Sequence, residues 1–131
     1  MLYLDSNVFI YAAMNSEEPG DRARSLLQEI QQGKERGETS ALTFDEVFWA
    51  VKKYSQEAAL EACQALLNFP NLEILPADRE LALSALRIIE EYSLAPRDAI
   101  HAATAIAGTA DFIVSTDTHF DKIVELRRRS L

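Results

Sequence analysis

Short apolar segments alternate along this chain with longer segments that have the apolar spacing of helices. Such alternation predicts strands at four places: Leu2–Leu4, Thr39–Leu42, Leu72–Leu75 and Phe112–Val114. Strands that are short and apolar on both sides belong to a parallel sheet whose two faces are both covered. The expected fold is therefore α/β, with a short parallel central sheet between two layers of helices.

The segments between these strands predict the helices of the outer layers. The second helix is indicated by the i, i+3, i+4, i+7 spacing of Ala23, Leu26, Leu27 and Ile30. The other helices are predicted at Asn7–Ala13, after Thr43, around Leu60–Leu67, at Glu80–Glu91 and at Pro96–Ala107. Thr43 and Glu46 have the spacing of a capping box, and Gly33 and Gly37 are expected to end the second helix.

Length and composition predict one domain over residues 1–131 without a membrane span. The chain is 48% hydrophobic and 26% charged, which is close to the globular average and argues against a disordered or fibrous protein. No apolar run approaches the roughly 20 residues of a membrane span, and the acidic Asp5 inside the first apolar run argues against a signal peptide. Cys63 is the single cysteine, so we expect neither an internal disulfide nor a cysteine zinc site. A cytoplasmic location is expected for the same reason.

The charge balance limits how this chain can bind nucleic acid. Thirteen Lys and Arg residues stand against 21 Asp and Glu residues, which gives a net charge of −8. A protein that binds nucleic acid through charge alone is expected to be basic. If the substrate is a phosphodiester, a divalent cation held by carboxylates would offset the acidic field locally.

Four acidic residues occupy positions that the predicted topology brings to one edge of the sheet. Asp5 and Asp117 follow the first and fourth strands, and Glu46 and Asp98 lie in the first turns of two helices. Ligands bind at the carboxyl ends of parallel strands, so these acids are candidates for a metal site. Oxygen ligands favour Mg²⁺ or Mn²⁺ over zinc. Taken singly, each acid can also be explained as a helix cap, a helix-dipole partner or a turn residue.

Four ordered segments of the sequence resemble the PIN domain family, and within it the VapC-type toxin ribonucleases. These segments are Leu4–Val8, Thr43–Val47, Arg97–Ala103 and Ser115–Asp121, and their order and separation match the family over essentially the whole chain. The resemblance implies the three-layer α/β/α PIN-like fold. It also implies an active member, because none of the acidic residues at the core of the motif is missing.

The resemblance implies a role for each of nine residues. The catalytic acids that hold the metal would be Asp5, Glu46, Asp98 and Asp117, and Asp121 would be a further acid that holds a metal through water. The supporting polar residues would be Ser6, Asn7, Thr43 and Ser115. The implied reaction is hydrolysis of single-stranded or looped RNA with Mg²⁺ or Mn²⁺, leaving a 5′-phosphate on the downstream product. The implied partners are a second copy of the chain and a small antitoxin protein.

Two other functions compatible with the sequence are a phosphohydrolase that uses strand-end aspartates and a non-catalytic RNA- or protein-binding module. The first is disfavoured because Asn7 stands where a second Asp would follow Asp5, and the second because the acids are intact.

His101 is interpreted as a partly buried histidine with its own hydrogen bonds, and His119 as a solvated loop residue. The run Arg127–Arg129 is interpreted as a solvated tail.

Overall fold

The computed structural model describes all 131 residues and contains five strands and six helices. The strands are β1 (Leu2–Leu4), β2 (Gly37–Ser40), β3 (Leu72–Leu75), β4 (Phe112–Val114) and β5 (Arg128–Arg129). The helices are α1 (Ser6–Met14), α2 (Glu18–Gln31), α3 (Leu42–Lys52), α4 (Gln56–Leu67), α5 (Arg79–Tyr92) and α6 (Pro96–Ala107). A 3₁₀ segment, Thr118–Lys122, follows β4. None of the helices is both long enough and apolar enough to span a lipid bilayer.

The five strands form one parallel sheet in the order β3-β2-β1-β4-β5. In the centre of the sheet, Leu4 of β1 lies beside Val114 of β4. The carboxyl ends of β1, β2 and β4 therefore meet at one edge, which is where ligands bind in sheets of this kind. The predicted parallel α/β fold is confirmed.

Alternating residues of β1 divide the core into two apolar layers. Leu2 and Leu4 pack with α1 to α4 on one face of the sheet, whereas Tyr3 packs with α5 and α6 on the other. The small residues Ala99, Ala102 and Ala103 let α6 lie close against the sheet. This close approach brings the first turn of α6 to the edge where β1 and β4 end.

Three local predictions were wrong. The third helix begins at Leu42 without a side-chain cap, because Thr43 is fully buried and hydrogen-bonds to Thr39 instead of capping. Gly37 begins β2 rather than ending α2. Arg127–Arg129 is not a solvated tail, because Arg128–Arg129 forms the edge strand β5 beside β4.

Glu38 is a buried carboxylate near the start of β2, at the edge of the sheet opposite the carboxyl ends of the strands. Its side chain points at the end of α6, where a Cβ on Gly108 would lie 2.2 Å from Glu38 Oε1. That oxygen is buried and has no hydrogen-bond partner. Burial raises the pKa of Glu38, although the backbone amides of Thr109 and Ala110 oppose the shift. The ionised form of Glu38 therefore destabilises the fold.

We expect Glu38→Gln to increase the free energy of unfolding at pH 7 by about 1 kcal/mol, because it removes a poorly paired buried charge. The gain should shrink as the pH falls, because the wild-type carboxyl then takes up a proton while folded. Urea unfolding in EDTA between pH 4 and pH 8 measures both effects. Glu61→Gln, on the exposed surface of α4, is the control. A gain that does not depend on pH would contradict this explanation.

Candidate metal centre

Asp5 lies where β1 ends and α1 begins. Its Oδ1 accepts a hydrogen bond from the Ser6 backbone amide at 2.8 Å, so it is the N-cap of α1. The preceding carbonyl, that of Leu4, accepts a hydrogen bond from Thr39 Oγ1, which is in turn 2.7 Å from Thr43 Oγ1. The capping role considered for Asp5 is thus confirmed. Thr39 holds the backbone just before Asp5 through the Leu4 carbonyl.

Ser115 connects Asp5 to the loop that carries Asp117. The Ser115 hydroxyl donates to Asp5 Oδ2 at 2.7 Å and accepts from the Asp117 backbone amide at 3.0 Å. Asn7 adds a second link, because its Nδ2 donates to Thr116 Oγ1 at 2.9 Å. The Oδ1 of Asn7 is buried without a hydrogen-bond partner and leaves an unused oxygen acceptor in this network. The ends of β1 and β4 are therefore fixed relative to each other.

His101 joins Asp5 to Glu46. The imidazole is 1% exposed, its Nε2 is hydrogen-bonded to Glu46 Oε1, and the same nitrogen is 3.6 Å from Asp5 Oδ1. The other ring nitrogen, Nδ1, is 2.6 Å from the Tyr3 hydroxyl. Burial lowers the pKa of His101, but the hydrogen bond to Glu46 and the charge of Asp5 outweigh this effect and raise it. The imidazole thus relieves the repulsion between these two carboxylates.

Asp98 and Asp117 form a second group with His119. One ligand atom from each of the three residues lies within 4.8 Å of the others. Burial raises the pKa of Asp98, and the charges of Asp117 and Asp5 raise it further. Burial also raises the pKa of Asp5. Carboxylates that repel each other in this way are stabilised when a cation shares them, so the site suits a hard divalent cation.

All four predicted core acids thus lie at the carboxyl edge of the sheet, in two groups that are each completed by a histidine. Asp121 is not in either group, and its two oxygens accept hydrogen bonds from Arg128 Nε at 2.9 Å and Nη2 at 3.1 Å. This ion pair lowers the pKa of Asp121. The Nη1 of Arg128 also donates to the Ser115 carbonyl at 3.1 Å, so the pair braces the loop after β4.

Sequence reasoning missed the part that the two histidines play. His101 is buried with its hydrogen bonds satisfied, as interpreted, yet two of its contacts are with the acids. The only signal was its position one helical turn after Asp98. His119 is exposed, as interpreted, but its Nδ1 is 3.0 Å from Asp117 Oδ1.

Comparisons with known proteins agree with this geometry. The PIN domain family model matches residues 2–126. The comparison with curated proteins gave no match. VapBC2 from Rickettsia felis, in a structure bound to a DNA fragment from its promoter, is similar with a TM-score of 0.75 at 21% identity over 99% of this chain and 98% of that one.

Two further structures have the same fold. VapC20 from Mycobacterium tuberculosis, described as a toxin that cleaves the sarcin-ricin loop, has a TM-score of 0.77 at 14% identity, covering 97% of this chain and 99% of that one. A toxin-antitoxin complex from Klebsiella pneumoniae has a TM-score of 0.72 at 25% identity, covering 96% and 95%. Because the family model matches nearly the whole length of this chain, the chain belongs to the PIN domain family. Its structural neighbours are toxins of VapBC toxin–antitoxin systems.

Proposed function

We propose that this protein is a divalent-metal-dependent endoribonuclease that hydrolyses single-stranded or looped RNA and acts as the toxin of a toxin–antitoxin pair. The observation that carries the proposal is the meeting of Asp98, Asp117 and His119 within 4.8 Å, beside the Asp5–Glu46 pair. Family membership supports nuclease chemistry at this place. The RNA substrate is proposed by analogy with the toxin from Mycobacterium tuberculosis.

The residues have distinct proposed roles at this site. Asp5, Glu46, Asp98 and Asp117 would hold Mg²⁺ or Mn²⁺. The cation would supply Lewis acidity for activating water and would neutralise charge on the scissile phosphate.

The polar residues around these acids would position them. Ser115 and Asn7 would keep the ends of β1 and β4 at a fixed separation, as their hydrogen bonds in the structure indicate. Thr43 would support Asp5 through Thr39, and Ser6 would hold the Asp5 carboxylate through its backbone amide. Asp121 would act through its ion pair with Arg128, or through water at the metal.

The net charge of −8 suits a partner with a basic segment, and we propose that the antitoxin supplies one. Toxin–antitoxin complexes among the structural neighbours support this partner. We also propose that the protein is a homodimer, as its resemblance to VapC toxins implies.

The test is cleavage of a mixed panel of single-stranded and stem-loop RNAs with Mg²⁺, Mn²⁺ or EDTA. We expect cleavage with either metal, none with EDTA, and none from Asp5→Asn or Asp98→Asn. Asp111→Asn is the matched control, because Asp111 precedes β4 at the opposite edge from Asp117. It should cleave as the wild type does.

Three outcomes separate the proposal from the alternatives. Cleavage that survives EDTA or both substitutions would reject a metal-dependent mechanism at these acids. Release of phosphate from a small ester without RNA cleavage would favour a phosphohydrolase. RNA binding without any cleavage in a folded protein would favour a non-catalytic module.

A further inference from the structure

His119 adds an imidazole to the carboxylates of Asp98 and Asp117. It lies in the 3₁₀ segment that follows Asp117, and its side chain is 62% exposed. Its backbone amide donates to Asp117 Oδ1 at 2.9 Å, and its Nδ1 lies 3.0 Å from the same oxygen. These two contacts, rather than burial, hold the ring beside the acids.

The contact with Asp117 also indicates which ring nitrogen could share a cation with that carboxylate. Two neighbouring ligand atoms of an octahedral cation, at bond lengths of about 2.1 Å, lie roughly 3 Å apart. His119 Nδ1 and Asp117 Oδ1 are 3.0 Å apart. A neutral imidazole can bind a metal through Nδ1 as well as through Nε2, so His119 Nδ1 is placed to bind a cation together with Asp117.

His101 is unsuited to the same role. Both of its ring nitrogens are engaged inside the protein, Nδ1 by the Tyr3 hydroxyl and Nε2 by Glu46. The ring is also almost completely buried. Since the chain has two histidines, His119 is the imidazole that can reach a bound cation.

We propose that His119 is a nitrogen ligand of the divalent cation, and that it gives this site a preference for Mn²⁺ over Mg²⁺. The proposal rests on the proposed metal-dependent function of the same site. Imidazole suits transition metals, whereas Mg²⁺ strongly prefers oxygen ligands and keeps much of its water. A site built from carboxylates alone would discriminate less between the two ions.

The test is electron paramagnetic resonance of Mn²⁺ added to the metal-free protein, without any substrate. The concentration of Mn²⁺ that stays free gives the affinity of the protein for Mn²⁺, and competition with Mg²⁺ gives its preference between the two ions. Pulsed measurements on protein with ¹⁵N-labelled histidine detect whether an imidazole nitrogen is bound. We expect a histidine signal in the wild type that is lost in His119→Gln, with Mn²⁺ affinity lowered roughly tenfold or more. Mg²⁺ affinity should change much less.

The control is Lys122→Gln, at an exposed position of the same 3₁₀ segment, which should keep both the signal and the affinity. Mn²⁺ that binds in an Asp98-dependent manner but shows no histidine nitrogen would overturn this proposal and leave the proposed function standing. A histidine signal that persists in His119→Gln would overturn it as well, because the nitrogen would then belong to His101. Failure of the wild type to bind Mn²⁺ at all would defeat the metal-dependent function itself.

Discussion

Asp98→Asn is expected to abolish RNA cleavage and, in the metal-free protein, to raise the melting temperature. Burial and the charges of Asp117 and Asp5 raise the pKa of Asp98, so its ionised form destabilises the fold at neutral pH. Its position in the first turn of α6 favours a negative charge, and burial and the repulsion from Asp117 and Asp5 oppose it. Asparagine keeps the shape and removes the charge.

The loss of cleavage should be roughly 10³-fold or more, comparable with removal of a principal charge-stabilising group. Thermal melts in EDTA and in Mn²⁺ measure the effect of the substitution on the melting temperature. Mn²⁺ should stabilise the wild type by mass action and have little effect on Asp98→Asn. A variant that melts below the wild type in EDTA would show that Asp98 stabilises the fold by its charge, contrary to this account.

His101→Ala is expected to destabilise the protein by about 3 kcal/mol. The substitution leaves the Tyr3 hydroxyl and the Glu46 carboxylate without their buried partner, and it opens a cavity beneath α6. The matched control is His119→Ala, which removes the exposed imidazole and should change stability by less than about 0.5 kcal/mol without metal.

Urea unfolding of His101→Ala, Glu46→Gln and the double variant tests the cause. If an unpaired carboxylate accounts for much of the loss, Glu46→Gln should cost less in the His101→Ala background than in the wild type. Strict additivity would mean that the cavity and the Tyr3 contact explain the whole effect.

The sequence was most informative where a segment's local pattern agrees with its tertiary role. β3 and β4 have the predicted bounds, and so does α6, because Pro96 begins it and Gly108 follows its end. β5 escaped prediction because it is a two-residue edge strand made of arginines, which resembles a solvated tail in sequence. Its pairing with β4 is a tertiary contact that no local pattern shows.

The same distinction applies to the site. The strand-end rule brought Asp5 and Asp117 together correctly, since it follows from parallel topology. It could not show that Asp121 binds Arg128, because that ion pair depends on how β5 returns to the sheet. Nor could it show that Thr43 is turned inward to Thr39 rather than capping its helix.

The bracing of the Ser115 carbonyl by Arg128 has a consequence for biosynthesis. The acidic groups follow β1, lie in α3 and α6, and follow β4, so the centre cannot assemble until nearly all of this chain has left the ribosome. A growing polypeptide that lacks β5 has every acid of the site but lacks Arg128, which forms an ion pair with Asp121. The complete acidic site is therefore expected to form only after the last strand has been synthesised.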